Sequence, residues 1–174
     1  MRRVMIVGSP GAGKTTLAKA LGQALGLPVY HLDAIHLQAD GRSRQKAEVM
    51  GDLGSVLALK DYILEGSYGH TYAARLAACD TLIWLDLPLW RRCWRIWRRE
   101  RGYWRSFKSE AGRAEKPPPL PMPWAHVLLD HHPMRADLQR LMSRALPPVM
   151  AQHLRSQADV RDFLDRCSQA AATK

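Results

Sequence analysis

The chain has 174 residues, of which 47 % are apolar and 24 % are charged, as is typical of one globular domain with a buried core. No apolar run approaches the ~20 residues of a membrane span, so we expect no membrane partner. The net charge of +10 favours anionic partners instead.

The N-terminus and the cysteines predict a cytoplasmic protein. Met1-Arg2-Arg3 is followed by only four apolar residues before Gly8. A signal peptide needs an apolar region of roughly 7–15 residues, so we expect none. The three cysteines, at positions 79, 93 and 167, are odd in number and far apart. They favour reduced thiols over a disulfide framework or a zinc site.

Short apolar runs alternate along the chain with helix-like stretches. The runs predict buried strands at 4–7, 29–32, 62–64 and 82–85, and we expect a fifth strand within 147–154. Helices are predicted at 14–25, about 45–59, about 72–78, about 89–101, 134–145 and 159–167. This alternation predicts a single α/β domain over residues 1–174, with a parallel sheet and helices on both faces.

The first predicted strand leads into a glycine-rich turn, Gly8-Ser9-Pro10-Gly11-Ala12-Gly13-Lys14-Thr15. It matches the phosphate-binding pattern G-x-x-x-x-G-K-[ST], in which backbone N–H groups and a helix N-terminus face the phosphates. We expect Lys14 on the β- and γ-phosphates and the Thr15 hydroxyl on Mg²⁺. A glycine turn without a ligand is the alternative, but the flanking strand and helix favour the phosphate loop. The residues expected to bind ATP are Gly8, Ser9, Gly11, Ala12, Gly13, Lys14, Thr15 and Thr16.

The second predicted strand ends in His31-Leu32-Asp33. Ligands gather at the carboxyl ends of parallel strands, so Asp33 is expected at the cleft. A carboxylate there suits a base that takes a proton from an acceptor hydroxyl. Asp33 would otherwise cap the next turn. We interpret His31 and His36 as polar histidines at a strand end rather than as a metal pair.

The third predicted strand exits through Glu65-Gly66-Ser67-Tyr68. We expect Glu65 beside the end of the first strand, where a carboxylate can hold Mg²⁺ through its waters. Gly66 would keep the backbone out of the way. With Asp33, we expect Glu65, Gly66 and Tyr68 to contact the acceptor. The alternative is a solvated turn glutamate.

Positive charge is concentrated after the fourth predicted strand. Between Arg91 and Lys116 there are ten Lys or Arg residues against three Glu residues, a net +7 of the total +10. Such a stretch can hold phosphates and, through its tryptophans, stack on bases. Nucleic acid is therefore a possible but not favoured partner.

The predicted helix 89–101 carries two stripes. Trp90, Trp94 and Trp97 share one face, because they are spaced i, i+4 and i+7. We expect them to pack on the sheet or on a lid. The arginine stripe beside them, Arg91, Arg95 and Arg98, would then face the cleft and clamp phosphates. A solvated basic face with a buried tryptophan stripe is the alternative.

Residues 102–124 break the alternation of strands and helices. The segment 117–123 holds five prolines in seven residues, which excludes strand or helix interior. We expect a proline-stiffened loop or a lid at about 95–124.

Five motifs carry a resemblance to a known family. They are the turn 8–15, LPVYHLDAIH at 27–36, YILEGSY at 62–68, CDTLIWLDLPLWRRCWRIWRR at 79–99 and ADVRDFL at 158–164. On these the chain resembles P-loop small-molecule kinases of the adenylate kinase superfamily, and more closely the FlaR-type "DNA topology modulation protein" group. The resemblance implies a three-layer P-loop NTPase fold with a five-stranded parallel sheet and a lid segment. It also matches Arg95 and Arg99 to the family's phosphate-contacting Arg-x-x-x-Arg pair.

The chain departs from the family pattern on the acceptor side. Gly69 stands where adenylate kinases carry the arginine that grips a monophosphate acceptor, and HLDAIH replaces their Thr-Gly…Arg signature. The carboxylate in that motif is similar to hydroxyl-phosphorylating relatives such as shikimate kinase. We therefore expect an ATP- and Mg²⁺-dependent kinase for a small hydroxyl-bearing metabolite or nucleoside. Lys14, Arg95 and Arg99 would stabilise the transferring group, and Asp33 would orient or deprotonate the acceptor.

Two other functions stay open at this point. One is a nucleic-acid-associated protein in which nucleotide binding is regulatory. The other is a nucleoside monophosphate kinase whose acceptor contacts come from Arg42, Arg44 and Arg75.

Overall fold

The computed structural model describes residues 1–38, 42–109 and 131–172, with only the backbone described at 100, 102–109 and 172. Five strands form one sheet in the order β2-β3-β1-β4-β5, and every neighbouring pair is parallel. The strands are β1 (Arg3–Gly8), β2 (Val29–His31), β3 (Tyr62–Glu65), β4 (Thr81–Leu85) and β5 (Met150–Leu154). The predicted five-stranded parallel sheet is thus confirmed.

Helices connect the strands and cover the sheet. The first three are α1 (Lys14–Leu25), α2 (Leu32–His36) and α3 (Lys46–Leu57). A 3₁₀ turn (Gly69–Thr71) leads into α4 (Tyr72–Ala78). The last three are α5 (Leu89–Ser109), α6 (His131–Arg144) and α7 (Gln157–Ala172).

The core consists of three clusters on the two faces of the sheet, because alternate residues of each strand point to opposite faces. On one face, Val4 and Ile6 of β1 pack in a cluster with residues of α1 and α7. On the other face, Met5 and Val7 pack with residues of α4 and α6. Leu64 of β3 joins a third cluster with α2 and α3. A parallel sheet buried on both faces explains the continuous apolar runs of the sequence.

The register of the sheet brings four strand ends together. Glu65 at the end of β3 pairs with Ile6 of β1 on one side and with His31 of β2 on the other. Gly8 at the end of β1 pairs with Leu85 of β4. The residues that follow these strands therefore meet at one edge of the sheet, beside the N-terminus of α1.

Two predicted boundaries are wrong. The strand predicted at 29–32 stops at His31, because Leu32 begins the short helix α2 and is fully buried. Burial alone does not distinguish a helical from an extended apolar residue in so short a run. Helix α5 continues through Ser109, so residues 102–109 are helical rather than loop. The prolines that stop a helix occur only from position 117 onward. Residues 110–124 of the predicted lid lie outside the described residues.

All three cysteines are free thiols, and Cys79 and Cys167 are buried. Among the helices within the described residues, none combines the length and the apolar character needed to cross a membrane.

Candidate active site

The phosphate-loop sequence forms a tight turn between β1 and α1. The Ala12 N–H donates to the Ser9 carbonyl oxygen at 3.1 Å, which closes the turn. Gly11 has a φ of 76°, and a Cβ at this position would lie 2.8 Å from the Arg92 carbonyl oxygen of α5. A side chain is therefore excluded where the turn packs against α5.

Lys14 opens α1 and lies close to two carboxylates. Burial lowers the pKa of the Lys14 ammonium, while the charges of Glu65 and Asp33 oppose that shift. Lys14 lines the same cleft as Glu65 and Asp33, beside the residues of the turn. A cation so placed can contact phosphate oxygens of a nucleotide bound in the turn.

Glu65 organises the end of the sheet through a single oxygen. The Thr15 hydroxyl donates to Glu65 Oε1 at 3.0 Å, and His31 Nδ1 donates to the same atom at 2.8 Å. Glu65 is only 4 % exposed, yet it lines the cleft described below. From the sequence, His31 was expected only as a polar histidine at a strand end, because its contact with Glu65 depends on β2 pairing with β3 rather than on any local motif.

The donor set at Thr15 and Glu65 fits Mg²⁺. A hydroxyl and a carboxylate are hard oxygen ligands, and Mg²⁺ usually takes few protein ligands beside water and phosphate. Across residues 1–38, 42–109 and 131–172, no three His, Cys, Asp or Glu side chains are grouped so that they could hold a metal ion. The expected Mg²⁺ site at Thr15 and Glu65 therefore suits a metal shared with a bound nucleotide better than a closed protein cage.

Ser67 and Gly66 hold the exit of β3 against the phosphate loop. Ser67 Oγ donates to the Gly8 carbonyl oxygen at 2.7 Å and accepts from the Gly8 N–H at 3.1 Å. Gly66 has a φ of 140°, and a Cβ there would lie 2.5 Å from Leu32 Cβ. Gly66 thus keeps the chain clear of α2, and it lies behind the cleft rather than on its surface, where the acceptor was expected to contact it.

Arg75 is fully buried beneath this exit. Its guanidinium donates to the carbonyl oxygens of Gly66 at 2.9 Å and Leu64 at 3.1 Å. Burial lowers the pKa of Arg75 to about 10. Arg75 therefore holds the backbone of β3. It is not available to bind an acceptor phosphate, although the monophosphate-kinase alternative needs it to do so.

Asp33 is exposed at the other side of the cleft and bonds to Tyr68. Burial, the charge of Asp33 and a hydrogen bond with its carboxylate together raise the pKa of Tyr68 to about 12, so the phenol is neutral and donates. The Tyr68 ring stacks on His36 with 3.7 Å between centroids. His36 Nδ1 faces the Leu32 carbonyl oxygen at 3.2 Å, and His36 Nε2 faces His70 Nε2 at 3.2 Å. Among the groups named here, the Asp33 carboxylate is bonded to the neutral Tyr68 phenol and to no cation.

Helix α5 supplies the arginines of the site. Arg95 donates to the Ala12 carbonyl oxygen of the phosphate loop at 3.1 Å, and Arg95 and Arg99 both line the cleft. Arg92 is buried and faces His131 Nδ1 at 2.9 Å. Arg95 is therefore next to the phosphate loop, and Arg99 lines the same cleft.

The expectation that the tryptophan stripe of α5 packs on the sheet is wrong. Trp90, Trp94 and Trp97 are 67, 53 and 45 % exposed. The helix instead places Ile96 and Arg92 against the phosphate loop, which turns the tryptophans outward. Three arginines stack over their rings at 4.6–5.4 Å instead of facing the cleft, namely Arg91, Arg98 and Arg101.

These groups surround one cleft of about 810 Å³. Its lining includes most of the residues predicted for the site: Gly11, Ala12, Gly13, Lys14, Thr15, Thr16, Asp33, Glu65, Tyr68, Arg95 and Arg99. Gly8, Ser9 and Gly66 are buried behind this lining and shape it. One end of the cleft runs between α1 and α7, where Ala20, Gln157 and Val160 offer a mostly apolar wall. The other end is formed by Asp33, Ser67 and Tyr68.

Comparisons with known proteins agree with this architecture. Residues 4–61 match the family model described as ATPase family associated with various cellular activities (AAA). The chain also resembles a shikimate kinase from Acinetobacter baumannii in complex with shikimate, with a TM-score of 0.53 and 16 % identity over 99 % of this chain and 94 % of that one. It has the P-loop NTPase fold.

Further solved structures share this fold at low identity. A gluconokinase from Sinorhizobium meliloti 1021 has a TM-score of 0.52 and 13 % identity over 99 % of this chain and 94 % of that one. A putative kinase from Chloroflexus aurantiacus J-10-fl has a TM-score of 0.52 and 18 % identity over 97 % of both chains. No curated protein sequence matches the chain significantly.

Proposed function

We propose that this chain is an ATP-dependent kinase that phosphorylates a hydroxyl group of a small metabolite or nucleoside. The observation that carries the proposal is one cleft lined both by the phosphate loop with Lys14 and by the exposed carboxylate of Asp33. The named kinases that share the fold, a gluconokinase and a shikimate kinase, support the same reaction type. We further propose, from the sequence motifs given above, that the chain is a member of the FlaR-type group.

At the donor end, the phosphates of ATP would lie on the N–H groups of the loop, with Lys14 and Arg95 beside them. Thr15 and Glu65 would hold Mg²⁺, and the bound ion would offset phosphate charge and orient the γ-phosphoryl group. His31 would hold Glu65 in place through Oε1. The apolar wall between α1 and α7 suits the nucleotide base.

At the acceptor end, Asp33 would accept the hydrogen bond of the acceptor hydroxyl and take its proton. The acceptor oxygen then bonds to the γ-phosphorus while the bond to the β-phosphate oxygen breaks, and ADP leaves with that electron pair. Lys14, Arg95 and Arg99 would stabilise the charge on the transferring group. The Tyr68 hydroxyl would hold the Asp33 carboxylate in position.

The monophosphate-kinase alternative loses two of its three candidate arginines. Arg75 is fully buried on backbone carbonyls. Arg44 donates to Asp52 at 2.7 Å and to the Ile35 carbonyl oxygen at 3.1 Å. Because both guanidinium groups are already bonded within the protein, neither offers the clamp that a phosphate acceptor needs.

A second candidate function is association with single-stranded nucleic acid. The observation in its favour is the exposed row of Trp90, Trp94 and Trp97 with arginines stacked on the rings. Exposed aromatic rings flanked by cations are the elements with which proteins stack on bases and hold the backbone. This surface lies outside the cleft, so both functions can coexist.

The deciding experiment is a screen of hydroxyl compounds with γ-labelled ATP and Mg²⁺, reading which compound gains the label. Lys14→Ala should abolish the transfer because the lysine charge is used most fully in the transition state. Lys19→Ala, on the exposed side of the same helix, is the matched control and should be unaffected. Retention of more than about a tenth of the turnover by Lys14→Ala would contradict a working phosphate loop.

A further inference from the structure

The acceptor end of the cleft is distinguished by the sign of its charges. At this end Asp33 contributes a carboxylate, and Ser67 and Tyr68 contribute hydroxyl groups. A smaller cavity of about 210 Å³ continues from Ser67 and Met134 and is also lined by Gly69, Tyr72 and Asp137. Asp137 is paired with Arg140, which does not line this cavity.

The cations among the described lining residues belong to the donor end. They are Lys14, Arg95 and Arg99 in the cleft, and the smaller cavity has none. Lys14 follows the phosphate loop directly, Arg95 bonds to it, and Arg99 is one turn further along the same helix. Bound ATP would engage these positive charges with its own phosphates.

The nearest arginines behind the acceptor end are engaged elsewhere. Arg75 is bonded to the Gly66 and Leu64 carbonyl oxygens, and Arg44 is bonded to Asp52 and to the backbone. Among the described residues of this end, the exposed Asp33 carboxylate, neutral donors and no available guanidinium form an environment in which a second anion is repelled.

We infer that the acceptor is uncharged or carries an ammonium group near its reacting hydroxyl, and that compounds with a carboxylate or phosphate there are rejected. This inference rests on the proposed kinase function and specifies the substrate class of the same site. Asp33 would accept hydrogen bonds from hydroxyl or ammonium groups, whereas an acceptor carboxylate would face its negative charge.

The first test compares acceptors that share a hydroxyl skeleton but differ in charge. Suitable sets are glucose, gluconate and glucosamine, then methyl shikimate and shikimate, then adenosine and AMP. Label transfer from γ-labelled ATP should favour the neutral or cationic member by about tenfold or more in kcat/KM wherever transfer occurs. A preference for the anionic member would overturn the inference.

A binding measurement separates this inference from the kinase proposal. With Mg²⁺ and a non-hydrolysable ATP analogue present, neutral or cationic members should raise the melting temperature more than their anionic partners. That result supports the charge rule even if no phosphate is transferred, and a larger rise with the anionic members contradicts it. ATP binding without transfer to any compound would overturn the kinase proposal instead.

A variant that adds a positive charge at the acceptor end makes the test independent of any single compound. Gly69 lines the smaller cavity, and a Cβ there would meet nothing within 4 Å. The backbone at this position therefore has room for a side chain, and we use Gly69→Arg. It should shift the preference toward the anionic member of each set by about tenfold. Gly51→Arg is the matched control, because Gly51 is equally open but lies on α3 outside both cavities. An equal shift in both variants, or none in Gly69→Arg, would contradict the inference.

Discussion

At the scale of single residues, one carboxylate oxygen connects three elements. Glu65 Oε1 accepts from Thr15 at the start of α1 and from His31 at the end of β2. Both donors thus converge on one atom of Glu65, and in the proposed site its carboxylate would also face the hydration shell of Mg²⁺. The proposed Mg²⁺ role of Glu65 thus involves His31, whose contact with Glu65 comes from strand pairing rather than from a local motif.

His31→Leu should raise the Mg²⁺ concentration needed for half-maximal turnover by about tenfold, since a hydrogen bond to a charged group is lost. His31→Asn should restore most of the function, because the asparagine amide can donate from nearly the position of Nδ1. His132→Leu, at an exposed site on α6, is the control. The measurement is turnover as a function of Mg²⁺ at saturating ATP. Equal behaviour of His31→Leu and His31→Asn would show that His31 has only a packing role.

Asp33→Asn should lower turnover by ~10²–10⁴-fold, the usual contribution of a general base. The asparagine keeps the shape of the side chain but cannot take the acceptor proton. The dissociation constant for ATP should change little, because Asp33 lies at the acceptor end. Asp165→Asn on the exposed side of α7 is the matched control. Near-normal turnover of Asp33→Asn, or a preference for AMP or CMP as acceptor, would instead favour a monophosphate kinase.

At the scale of elements, α5 has two faces with different surroundings. Ile96, Arg92 and Arg95 face the phosphate loop, and the tryptophans face outward with arginines on their rings. The periodicity of the sequence correctly grouped the tryptophans on one side of the helix. It assigned that side to the interior because tryptophan is usually buried, and the packing of α5 on the loop decided otherwise.

The two faces of α5 should separate the two candidate functions. Arg95→Ala should lower turnover about 10²-fold or more while weakening ATP binding less, because its charge is used most in the transition state. Trp94→Ala should leave turnover unchanged. If single-stranded nucleic acid binds the outer face, Trp94→Ala should weaken retention of an oligonucleotide at low salt, and retention should fall steeply with added salt. Normal turnover of Arg95→Ala with normal nucleic-acid retention by Trp94→Ala would contradict both assignments.

Helix α2 illustrates what element prediction could not reach. The apolar residues 29–32 are equally compatible with a strand or with a strand that turns into a helix. The contact between Leu32 and the exit of β3 at Gly66 places Leu32 in the core, and this contact joins residues far apart in sequence. As a result, Asp33 lies in the first turn of a helix rather than at a strand end, although it still lines the cleft.

At the scale of the whole molecule, the strand order explains why distant motifs share one cleft. With β3 between β2 and β1, the exits carrying His31, Glu65 and Gly8 are neighbours. Ligands bind at this edge in open parallel sheets because the strand ends and helix N-termini converge there. The order β2-β3-β1-β4-β5 could not be derived from apolar patterning, which records burial but not pairing partners.

The sequence by itself determined the alternation of strands and helices and the phosphate loop, and it predicted Asp33 and Glu65 at one site, whereas the pairing of Arg95 with Arg99 came from the family resemblance. Those features depend on local chemistry: apolar runs, glycine conformations and the rule that parallel strands end at a common edge. Only the tertiary structure decided which cations remain available. Arg75 and Arg44 are bonded within the protein, because partners distant in sequence reach them in the folded chain. The absence of an available cation at the described acceptor end is a property of packing, since the same arginines in the sequence alone were equally compatible with a phosphate clamp.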